Sequence, residues 1–130
     1  MPEWQYLRTV SGVDIVFGSG IIAELGNIRK YRRGSSVVKM AGLNLSKNAS
    51  GKYNGKFGIT KRGRSELRWI AYMIALNLVR SDKRVKMFYE RKLLSGTEPI
   101  SVLIKIAAKV LRMIRRLVID EVEYISEKMY

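Results

Sequence analysis

The sequence predicts a mainly α, compact helical domain, and three features carry that prediction. Residues 69–79 are apolar almost all round, broken only by Asn77, as a buried helix requires. Residues 100–119 are two-faced at helical spacing, with apolar side chains on one side and cations on the other. Stop and start signals sit between the periodic stretches: Ser81-Asp82, Ser95-Gly96-Thr97 and Glu98-Pro99. At 130 residues the chain reads as one domain, large enough for one core.

In chain order, Trp4 to Arg8 form a short helix and residues 10–14 a turn. A second helix runs from about Ile15 to Leu25, with Val16, Ile21, Ile22 and Leu25 as its apolar side. Gly18 and Gly20 weaken that helix but permit close packing. Gly26-Asn27 stops it. Residues 1–28 thus give a helix-hairpin-helix-like start. It either presents the amides of its second helix to a phosphate or simply packs as a tight hairpin. Ser35 or Ser36 caps a short helix that ends at Gly42. From Asn44 to Thr60, Gly recurs at 51, 55 and 58, which suits a Gly-rich basic loop or short hairpin.

A central buried helix follows, from about Arg64 to Arg80. Arg64 and Arg68 share one face of its first turn. Asp82 caps the next helix, which reaches about Leu94. Pro99 opens the last long helix, to about Ile119. There Leu103, Ala107, Val110, Ile114 and Leu117 line one side, and Lys105, Lys109, Arg112 and Arg116 the other. Residues 29–63 form a basic loop region, 64–119 a helical core and 120–130 an acidic tail. Asp120, Glu123 and Glu127 share a helical face in that tail, as a solvated face or as partners for basic residues; a metal site is the lesser reading.

Charge narrows the function. Lys and Arg number 25 against 11 Asp and Glu, a net charge of +14. From Arg29 to Ser65 there are eleven cations and no acid. A field of this sign recruits nucleic acid, an anionic membrane or an acidic partner. With no Cys and no His, disulfides, zinc sites of those ligands and any imidazole acid–base step are excluded. The longest apolar run, Trp69–Leu76, is too short to span a bilayer, and the N-terminus shows no signal pattern. A soluble cytoplasmic protein is expected. An amphipathic membrane-surface helix remains a weaker alternative.

The central stretch carries a family resemblance. It begins with Gly42-Leu43, then Ser50-Gly51, then Gly-spaced basic residues, and closes with Ile59-Thr60-Lys61-Arg62-Gly63. Together these resemble the C-terminal domain of the insertion-sequence 110/116/902 transposases. Ser11-Gly12-Val13, Ala23 to Ile28, Leu67-Arg68, Phe88-Tyr89 and Ala107-Ala108-Lys109 extend the likeness over roughly residues 7–117. Leu45 stands where the family usually has Pro, and Asp14 where the Gly-turn usually has a second Gly.

The resemblance implies a serine nucleophile in DNA strand exchange, Ser50 by position, with Ser46 second. It also implies an acidic DEDD domain, absent from this sequence, that holds Mg²⁺, so no cofactor is expected in this chain. DNA, a guide RNA in some members, and homo-oligomers are the implied partners. From charge and position, the nucleic-acid-binding residues are expected to be Lys52, Lys56, Lys61, Arg62, Arg64, Arg68, Lys105, Lys109, Arg112 and Arg116. A non-catalytic nucleic-acid-binding or assembly module is the competing reading.

Overall fold

The longest helix, Pro99–Asp120, runs through the middle of the molecule, and the others are laid around it. A computed structural model describes residues 3–43 and 64–130, apart from the Glu127 side chain. In order these form α1 (Trp4–Leu7), α2 (Ile15–Leu25), a 3₁₀ turn (Ile28–Lys30), α3 (Gly34–Ala41), α4 (Ser65–Ser81), α5 (Lys83–Leu94), α6 (Pro99–Asp120) and α7 (Ser126–Met129). No strand occurs among the described residues. α6 packs against α1, the 3₁₀ turn, α3, α4 and α5, while α2 lies on α4.

The caps explain the boundaries. Asp14 precedes α2, and its carboxylate accepts the Phe17 N–H at 2.8 Å. Gly42, at φ 72°, closes α3: its N–H reaches Lys39 O and the Leu43 N–H reaches Val38 O, the paired bonds of a Schellman stop. Asp82 starts α5 by accepting the amides of Arg84 and Val85. Pro99 opens α6, and Glu121 ends it with a left-handed φ of 54°.

Three sequence expectations change. α4 is not the central helix. It buries Leu67, Ile70, Ala71, Ile74, Ala75 and Leu78, but Trp69 is 52% exposed against Phe17. Its apolar run is wider than the surface its neighbours cover, whereas α6 is enclosed on all but its cationic stripe. Val16 is not on the packed side of α2. It is 70% exposed, and Gly18 takes the buried position, because the Trp4 ring lies where a side chain at residue 18 would stand. α3 begins at Gly34 rather than after a Ser35 or Ser36 cap, because Gly34 lies directly against the Arg112 stem of α6.

Asn77 is the one polar interruption in the apolar run, and it has a partner. Its Nδ2 donates to the Gly12 carbonyl at 3.2 Å, locking the α1–α2 turn onto α4. A Cβ on Gly12 would lie 2.9 Å from the Ile74 carbonyl oxygen, a backbone atom that cannot step aside cheaply. Gly12→Ala is therefore expected to destabilise the fold by about 1–3 kcal/mol, measured by denaturant unfolding.

Candidate nucleic-acid interface

α6 carries four cations on one face. Lys105, Arg112 and Arg116 are exposed, and Lys109 is half-buried. The spacing of four, three and four residues holds them along one stripe. Arg116 makes a long ion pair with Asp120 (3.6 Å), one turn on. That exposed pair is worth a few tenths of a kcal/mol and leaves the guanidinium available.

A basic loop joins this stripe. Arg115 turns away from solvent; its Nε donates to Tyr31 O at 2.7 Å, and its Nη2 donates to Arg32 O. Together with the Gly34–Arg112 contact, these bonds fix the exposed Arg32 and Arg33 beside the middle of α6. The chain from the 3₁₀ turn to α3 thus adds cations to the stripe. Arg32 and Arg33 thus join the cations expected from sequence, and Arg115 is the tie that brings them there. Only the run Tyr31-Arg32-Arg33-Gly34 signalled them, and only as a basic loop.

At Lys109 the stripe meets the chain's last residues. Lys109 Nζ sits 3.9 Å from the centre of the Tyr130 ring, which stacks on Phe88 at 4.1 Å. Burial, with the nearby Arg112 charge adding to it, holds the Lys109 pKa below its usual value. Burial pushes the Tyr130 phenol up to about 12, against a smaller opposite pull from Arg112. A raised phenol favours the fold below the ordinary tyrosine value of 10.0, and that contribution is lost as pH rises towards about 12. Tyrosinate absorbance of the chain minus that of Tyr130→Phe is expected to show one tyrosine titrating late.

Arg64 and Arg68 lie elsewhere. Arg64 Nε pairs with Glu24 at 2.9 Å, its N–H bonds Met40 O at 2.8 Å, and Arg68 Nη1 donates to Ala41 O at 3.2 Å. Both therefore tie the start of α4 to α2 and to the C-terminal end of α3. Arg112 meets the opposite end of α3, about 10 Å away along that helix. Ser46, Ser50, Lys52, Lys56, Lys61 and Arg62 lie outside the described residues.

The α1–α2 turn offers little to a phosphate. Asp14 already occupies the first-turn amide of Phe17 with a carboxylate. The tail acids do not share a helical face, because α6 stops at Asp120 and α7 begins only at Ser126. Asp120 pairs with Arg116, and Glu121 with Arg29 at 3.2 Å. Among the described residues no group of three acids is arranged to hold a metal ion, and no helix is long and apolar enough to cross a membrane.

The model of the Transposase IS116/IS110/IS902 family matches residues 4–90, more than half of the chain. The chain belongs to this transposase family. The match runs from α1 into α5 and takes in the Gly42–Arg68 stretch. The cationic helix α6 and the tail of this transposase domain lie beyond it. No curated protein gives a significant match.

Proposed function

We propose that the chain is the C-terminal, DNA-binding domain of a transposase, supplying Ser50 as nucleophile to a DEDD domain that holds Mg²⁺. One observation carries the reading: an acid-free, Gly-spaced basic segment bearing a serine, within the family match. The described residues flanking that segment support it. The Arg64 N–H bonds Met40 O and Arg68 donates to Ala41 O, so the described residues on either side of that segment lie together.

In this reading the Ser50 hydroxyl oxygen bonds to phosphorus, the bond to a deoxyribose oxygen breaks, and the proton ends on the departing hydroxyl. Exchange then occurs by two transesterifications without loss of bond energy. Lys61 and Arg62, with the Arg64 and Arg68 cations nearby, offset charge on the pentavalent phosphorus. Lys52 and Lys56 hold the DNA backbone near the serine, and Lys105, Lys109, Arg112 and Arg116 hold it along α6. The helix-hairpin-helix-like start packs on α4 and serves as support. The domain acts as one unit over residues 1–130, in a cytoplasmic homo-oligomer and, where the element uses one, with a guide RNA.

The test is to trap the covalent link. The chain is mixed with a DEDD domain, Mg²⁺ and branched DNA carrying an element end, with guide RNA where required. A protein–DNA adduct on a denaturing gel that vanishes with Ser50→Ala establishes the serine. An adduct lost only with Ser46→Ala moves the nucleophile.

A second reading, a non-catalytic binding or assembly module, draws on a specific observation. Arg64 and Arg68 both have structural partners, so their presence is explained without a reaction. It requires Ser50→Ala to leave every property unchanged.

A further inference from the structure

We infer that the chain's last ten residues form one wall of a groove that holds a single, unpaired phosphodiester strand against α6. The inference rests on the nucleic-acid-binding reading and narrows its ligand. The groove encloses about 1050 Å³ between the cationic face of α6, the start of α3 at Gly34 and the segment from Val122 to Met129.

Its lining holds cations, apolar side chains and two acids, Glu123 and the Asp120 that pairs with Arg116. Lys109, Arg112 and Arg116 from α6 face Lys128 from the tail. Apolar side chains line it too, among them Met113 from α6 and Val122 and Ile125 from the tail. A duplex hides its base faces and offers a protein mainly phosphates and groove edges. An apolar lining gains nothing from it. A single strand offers phosphates to the cations and unstacked base faces to the apolar side chains.

The wall is firmly placed. Tyr124 OH donates to Asp82 at 2.5 Å, Ser126 Oγ donates to Asp82 at 2.8 Å, and the Tyr124 N–H bonds Thr9 Oγ1 at 2.9 Å. Met129 is buried beneath it. Val122 and Ile125 remain 46% and 47% exposed, which a wall that only covered the core would not need.

The experiment measures affinity of the full chain for labelled oligothymidylate, for oligouridylate and for a duplex of equal length. Val122→Ser/Ile125→Ser/Lys128→Gln removes the wall's chemistry at exposed positions. It is expected to weaken strand binding roughly tenfold and leave duplex binding within about twofold. Lys128→Glu alone, a surface change that spares the fold, is expected to lower strand affinity more than duplex affinity. Preference between the deoxy and ribo strands identifies which nucleic acid the groove takes. Equal losses on strand and duplex, no loss, or tighter strand binding would overturn the groove while leaving the DNA-binding reading standing. A chain that binds none of the three probes overturns both.

Discussion

Asp82→Ala is expected to destabilise the fold by about 3 kcal/mol in denaturant unfolding. Asp82 is a buried acid, 8% exposed, whose carboxylate is held by hydrogen bonds. Oδ1 accepts the Arg84 and Val85 amides and the Ser126 hydroxyl, and Oδ2 accepts the Tyr124 phenol. Losing a helix cap costs ~1 kcal/mol, and hydrogen bonds to a charged group contribute about 1.5–3 kcal/mol each. The removal also takes the Asp82 bonds from Tyr124 and Ser126, so the segment carrying α7 loses one of its anchors. Tyr124→Phe removes only one of the four bonds and is expected to cost about 1.5–2 kcal/mol.

The same carboxyl makes stability pH-dependent. Burial alone would raise its pKa, but the bonds from Tyr124, Ser126 and the two amides outweigh it and hold the pKa below 3.8. A depressed acid contributes stability above its unfolded value, and that contribution is lost as pH falls through the folded one. Acid unfolding of the native chain should therefore steepen below 3.8, and Asp82→Asn should remove that part of the curve.

Much of this fold was legible because its boundaries are set locally. Asp82, Gly42, Gly26 and Pro99 act within one turn of their own positions, and each stands where the sequence places a boundary. Centrality was not legible. Residues 69–79 look buried on all sides, yet burial depends on which neighbours arrive. α6 takes the middle because it meets five other elements. Arg64 and Arg68 look like ligand-binding cations in sequence, but their partners, Glu24 and Ala41, lie 40 and 27 residues away. The reverse holds for Arg32 and Arg33: Arg115, more than 80 residues on, brings them to the stripe. The tail reads as an acidic helix by spacing alone. The left-handed Glu121 ends that helix and lets the chain turn back over α5, where α7 packs.

Charge reversal on α6 is the functional change with the largest expected effect. Arg112→Glu/Arg116→Glu is expected to lower affinity for nucleic acid on the order of 100-fold at moderate salt, and to flatten the dependence of log affinity on log salt by about two. Each cation that neutralises a phosphate releases a counterion, so the slope counts contacts, whereas affinity alone also reflects net charge. The fold should survive. Both side chains are exposed, and the like-charge pair that Arg116→Glu makes with Asp120 costs only a few tenths of a kcal/mol. Lys83→Glu/Lys86→Glu, exposed on α5, changes net charge equally and separates the two explanations. If it weakens binding and flattens the slope as much as the α6 reversal, the domain attracts polyanions through its overall field and α6 has no special part. If the slope changes only with α6, the phosphates lie along that stripe. Because α6 lies beyond residues 4–90, the result would place a DNA contact outside the stretch that the family model matches.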